Sequence, residues 1–184
     1  MRYILGLDIS TSVVGYTIID ETGKLHEMSY VKLNGFDKDD LFGKAEAVQK
    51  ILYEYKDVVT DVAIEEPLVM FQPGMSRAQI LSKLSMFNGM ISISSKFIYN
   101  CTPMLYNVNH ARKTAFPNLK FPKGCDRKET VMLRVAEEHP EVDWPVMTRG
   151  KSIGSPRKEC FDMADSYIIA KCRLEKLRNE SQTN

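Results

Sequence analysis

Four carboxylates stand where a carboxylate is costly. Asp8 closes the apolar run Tyr3-Ile4-Leu5-Gly6-Leu7, and Glu65 closes Val62-Ala63-Ile64. A charged oxygen at the end of a buried strand needs a cation or a hydrogen-bonding partner. Asp162 and Asp165 are three residues apart in a helical pattern, so they share one helix face. That face is otherwise apolar, with Phe161, Ile168, Ile169 and Cys172 around them. Like charges there repel unless cations lie between them. Taken singly, each acid has an ordinary explanation as a turn residue, a cap or a complement to a helix dipole. Taken together, two strands and a helix deliver four hard oxygen donors, a set that suits Mg2+ or Mn2+. Two such ions about 3.5–4 Å apart activate water and stabilise the leaving oxygen in phosphodiester hydrolysis. Glu66 follows Glu65 on the opposite face of a regular strand and is the poorer ligand unless a local twist reverses the choice.

A phosphate-rich partner is also suggested by two basic stretches. Arg112, Lys113, Lys120, Lys123, Arg127 and Lys128 stand against the single acid Asp126, and Arg149, Lys151, Arg157 and Lys158 stand against none. Both stretches are rich in Gly, Pro and Ser and read as exposed loops. One such run is as often a solubilising surface. Two beside a carboxylate cluster favour phosphate binding.

The elements that would position these groups follow from periodicity. Tyr3–Asp8, Val13–Asp20 and Leu25–Leu33 read as three strands joined by short links, with Glu21-Thr22-Gly23-Lys24 as a turn. Leu41, Ala45, Val48, Leu52 and Tyr55 recur at helical spacing. Asp61–Glu66 is a fourth strand closed by Pro67. A long helix is predicted from about Ser76, its candidate cap, to about Phe97, with Ile80, Leu84, Phe87 and Ile91 as its apolar stripe. Pro103–Val108 is a short fifth strand. Asp126 caps a helix that runs to about Glu138, and Pro140 ends it. A last helix spans about Glu159 to Leu177. The predicted fold is α/β: a mixed five-stranded sheet, three antiparallel strands followed by βα units, flanked by helices.

With 184 residues, 43% of them hydrophobic, the chain fits a single domain, predicted over residues 1–178 with a frayed polar tail at 179–184. That apolar fraction excludes wholesale disorder. No apolar run approaches the roughly 20 residues of a membrane span, so no membrane partner is expected. The N-terminus enters a strand pattern at once, which argues against an export signal. The four cysteines form no C-x-x-C pair and share no metal-like spacing with the three histidines. They read as reduced thiols in a cytoplasmic setting. The net charge of +1 divides into −3 over residues 1–100 and +4 over the rest.

The ordered motifs resemble those of RuvC-type Holliday junction resolvases, in the ribonuclease-H-like superfamily. Ile4 to Tyr16 resembles their first motif and Val62-Ala63-Ile64-Glu65-Glu66 their second. Leu84-Ser85-Met86-Phe87-Asn88-Gly89 resembles their long helix, and Lys123 to Val131 the segment that carries an active-site lysine. Asp162-Met163-Ala164-Asp165-Ser166 resembles the helix that supplies the last two ligands. The resemblance covers nearly the whole chain. It implies a homodimer that cleaves four-way DNA junctions with divalent metal, in a bacterial cell or a phage- or virus-infected one. Asp8, Glu65, Asp162 and Asp165 would be the ligands, Lys128 would meet the scissile phosphate, and Lys113 would be a further phosphate contact. Arg112, Lys120, Lys123, Arg127, Lys151, Arg157 and Lys158 complete the expected DNA surface.

Two departures mark a divergent member. Asp8-Ile9-Ser10 replaces the usual D-P-G, and Leu68 stands where an aromatic junction wedge is usual, with Phe71 the nearest aromatic. Three other readings remain, one of them a non-catalytic DNA-binding module of the same fold. A YqgF-type nuclease acting on RNA shares the first and last acids. An ATP-binding protein of the actin, sugar-kinase and Hsp70 class shares the Leu7–Gly15 pattern, but this chain has no second copy of that motif.

Overall fold

Period-two alternation decides which face of the sheet each side chain enters. In β1 (Tyr3–Ile9), Leu5, Leu7 and Ile9 enter one hydrophobic core, while Ile4, Gly6 and Asp8 face the other way. In β4 (Asp61–Glu65), Val62 and Ile64 join the first set, and Ala63 and Glu65 join Asp8. The computed structural model describes residues 1–67, 78–121 and 123–182. Its element order is β1, β2 (Val13–Asp20), β3 (Leu25–Lys32), α1 (Leu41–Tyr53), β4, α2 (Ala78–Tyr99), β5 (Met104–Tyr106), α3 (Val108–Ala115), α4 (Arg127–Glu138) and α5 (Glu159–Gln182). The sheet runs β3-β2-β1-β4-β5. β1 pairs antiparallel with β2 and parallel with β4, and β4 pairs parallel with β5. This is the predicted mixed sheet with helices on both faces.

The face that carries Asp8 and Glu65 packs against α5, with α3 and α4 outside it. The opposite face packs against α1 and α2. Two glycines let α5 lie directly on the strands. A Cβ on Gly6 would fall 2.2 Å from the Ser166 carbonyl oxygen, and one on Gly15 would fall 2.1 Å from that of Asp162. At the same contact the buried hydroxyls of Thr17 and Ser166 lie 2.7 Å apart.

Three features differ from the sequence-based expectation. A helix, α3, follows β5 where loop was expected, so Arg112 and Lys113 are helical. Asn107 caps it, its side chain accepting from the amides of Asn109 and His110. α5 continues past Leu177 to Gln182 because Leu177 is buried and Arg178 donates to the Glu21 and Thr22 carbonyls. The buried stripe of α2 is Phe87, Ile91, Ser95 and Tyr99, and Ile80 is exposed. Arg127 and Lys128 form the first turn of α4, as the Asp126 cap predicted. Leu68, Phe71 and the candidate cap Ser76 lie outside the described residues. Among the described residues, no helix is long and apolar enough to cross a membrane.

Candidate metal centre

Parallel pairing brings the ends of β1 and β4 to one edge of the sheet, since Leu7 pairs with Ile64 and the next residue in each strand is the acid. The carboxyl ends of parallel strands are where open α/β sheets bind their ligands. Asn88 of α2, itself buried, donates its side-chain amide to the Glu65 carbonyl at 3.0 Å and steadies that strand end. From the helix side, the close approach over Gly6 and Gly15 brings the first turns of α5 against Asp8. Asp8, Glu65 and Asp165 each offer a carboxylate oxygen, and these oxygens lie within 4.8 Å of one another. Asp162 lines the same cleft as Asp8 and Glu65.

The electrostatics of the cluster are those of carboxylates short of cations. Burial pushes the Asp8 carboxyl well above its ordinary range, and Glu65, Asp165 and Asp162 push it further. Burial also raises Glu65. Asp162 is pushed up to about 6, first by burial and against the pull of Lys128. Two protein cations offset part of this charge. Arg112 donates through Nη2 to both Asp165 oxygens at 2.8 Å and through Nε to one of them at 3.2 Å. The Lys128 ammonium is 3.7 Å from Asp165, on a side chain 59% exposed.

The donor set fits a divalent cation. It offers only hard oxygens, their mutual repulsion is relieved by positive charge between them, and one edge of the cleft is open. Asp8, Glu65 and Asp165 are the residues that would hold an ion, with Asp162 beside them.

The remaining predicted site residues divide in two. Lys128, Arg157 and Lys158 line a groove of about 620 Å³ that also contains Asp162, Ser10 and Ser12. Arg157 is steadied there by Glu159, which also binds Lys32. Lys113, Lys120, Lys123, Arg127 and Lys151 are exposed and lie outside that groove's lining. Arg112 is not at the surface: its side chain is 11% exposed and faces the cluster. Sequence reasoning missed Asn88 as a support of the Glu65 strand end and Arg112 as the partner of Asp165. The Asn107 cap was the one local signal that placed Arg112 on a helix.

No protein-family model matches the chain, and no curated protein matches it in sequence. In structure the chain is similar to RuvC of Thermus thermophilus. RuvC in complex with Holliday junction substrate matches with a TM-score of 0.66 at 16% identity, over 97% of this chain and 96% of that one. A second structure of Thermus thermophilus RuvC matches with a TM-score of 0.62 at 18% identity, over 97% of each chain. At these identities the likeness shows the fold, and the fold is RuvC-like.

Proposed function

We propose that the chain is a divalent-metal-dependent endonuclease that cleaves branched DNA, with the four-way junction as its substrate. The observation that carries this reading is the convergence of Asp8, Glu65 and Asp165 within 4.8 Å, at the carboxyl ends of two parallel strands. The RuvC-like fold supports the same reading, since one of its solved relatives is a RuvC bound to a Holliday junction. Mg2+ is the expected metal, with Mn2+ as a substitute and two ions per site at work. Divalent ions held there would supply Lewis-acid activation of water and charge neutralisation at the phosphodiester.

The chain's own residues supply the rest. Asp8, Glu65, Asp162 and Asp165 would hold the ions, and burial keeps the carboxylates' field from being screened by water. The exposed Lys128 ammonium reaches the scissile phosphate and offsets charge that develops in the transition state. Arg157 and Lys158 bind the strand in the groove that leads to Asp162. Lys113, Lys120, Lys123, Arg127 and Lys151 add phosphate contacts, which position the junction without reading sequence.

The active species is a homodimer, because a four-way junction presents two equivalent strands and the described residues of each chain hold one such acidic cluster. Its contact surface is the outer face of α1 and α2. There Phe42, Met86, Ile93 and Phe97 are exposed and Met90 lines an apolar groove of about 490 Å³.

Asp8→Asn tests the catalytic reading, since it removes charge at almost no change in volume. Cleavage of a synthetic junction should fall by at least about 10²-fold while junction binding persists. Parental cleavage by Asp8→Asn would overturn it.

A further inference from the structure

Asp165 is the most enclosed acid of the centre, and it already has a cation. Arg112 grips it edge-on, with Nη2 at 2.8 Å from both oxygens and Nε at 3.2 Å from one. The grip is built into the fold. α3 packs on α5 through buried Ala111 and Ala115, one turn apart, which fixes the helix whose next residue is Arg112. Oδ1 of Asp165 accepts from both Nε and Nη2 and Oδ2 accepts from Nη2, so the guanidinium occupies the edge of the carboxylate that spans its two oxygens.

Charge counting points the same way. Four carboxylates against Arg112 and Lys128 leave two formal negative charges, which one divalent cation neutralises. A second ion would need more negative charge or one fewer protein cation. An ion bound to Asp165 at roughly 2.1 Å would also lie no more than about 5 Å from the guanidinium nitrogen, where like charges repel.

We propose that Arg112 is a built-in counter-ion that competes with a divalent cation for Asp165 and holds the DNA-free centre to one ion. A second ion enters only when Arg112 lets go of Asp165. The arriving phosphate of the substrate is the group able to draw the guanidinium away, since it matches the same two-pronged geometry. This rests on the metal-dependent reading above and adds to it a residue that sets metal stoichiometry.

The test is a Mn2+ titration of the DNA-free chain, with free Mn2+ read by electron paramagnetic resonance, and it requires no turnover. Wild type should take up one equivalent and bind a second only at much higher Mn2+. Arg112→Gln should tighten the second step by at least about tenfold. Lys113→Gln removes a charge from the same helix without touching Asp165, and it should titrate as wild type. An Arg112→Gln isotherm identical to wild type, or weaker in both steps, overturns the proposal, and so does equal tightening by Lys113→Gln.

A second readout uses the wild-type chain alone. The Arg112 Nε–H resonance should be distinct without metal, hold through the first equivalent of Mg2+, and shift with the second. A resonance unmoved at two bound equivalents overturns the proposal. A wild-type chain that binds no Mn2+ overturns the metal-dependent reading itself, a result distinct from the others.

Discussion

Asp8, Glu65 and Asp165 were legible as a set because each breaks an apolar pattern, and a carboxylate that breaks such a pattern must answer for its burial. The clamp of Arg112 on Asp165 was not legible. It joins side chains 53 positions apart, and nothing local to Arg112 separates it from its neighbour Lys113, which points to solvent. Asp20 is the converse case, a buried acid fully satisfied without metal. At 2% exposure it accepts from the Thr22 amide and hydroxyl, from the Lys24 amide and from the His26 ring at 2.8 Å. The His26 contact first, then Thr22, hold its carboxyl well below the usual range. The sign follows from linkage: the unfolded chain takes up the proton first, so Asp20 stabilises the fold above its ordinary value of 3.8 and loses that effect as pH falls toward its depressed folded value. Asp20→Asn should therefore cost about 1–3 kcal/mol near neutrality, with a difference from wild type that shrinks below pH 4. Urea unfolding across pH 3 to 7 measures it. A difference that widens toward acid would contradict this account of Asp20.

Among the elements, the strands were readable from their apolar runs and α1 from its helical apolar spacing. α3 was not, since eight mostly polar residues bury only Ala111 and Ala115. Its helical state is set by the Asn107 cap and by packing on α5. α5 itself is buried nearly all round, which suits a helix laid across a sheet rather than along a surface. Its distance from the sheet is what brings Asp162 and Asp165 to Asp8, and Gly6 and Gly15 set that distance. Gly15→Ala would push a methyl into the Asp162 carbonyl and force the first turn of α5 outward. It should destabilise the chain by about 1–3 kcal/mol and weaken Mn2+ binding along with it. Denaturant midpoints and a Mn2+ titration of the variant read both effects. A parental midpoint with parental metal affinity would show that α5 does not need its close seat.

For the molecule as a whole, one face of the sheet carries the acidic cluster and the other carries α1 and α2, whose outer surface is apolar and open. Ile93 is 62% exposed and Phe97 is 80% exposed, so neither contributes to the core of one chain. Ile93→Asp should leave monomer stability within about 0.5 kcal/mol, yet convert the species seen by light scattering from about twice 21.0 kDa to 21.0 kDa. Equal masses for wild type and variant would remove this face from the assembly. A metal-dependent cut in branched DNA can be assayed on the purified chain. The wild-type chain is incubated with a synthetic four-way junction, linear duplex of the same sequence and RNA, each with and without Mg2+. Paired, symmetric nicks should appear in the junction, only with Mg2+, with little cutting of the other two. Metal-independent cleavage, or cleavage of RNA or linear duplex in preference to the junction, would contradict the proposed function.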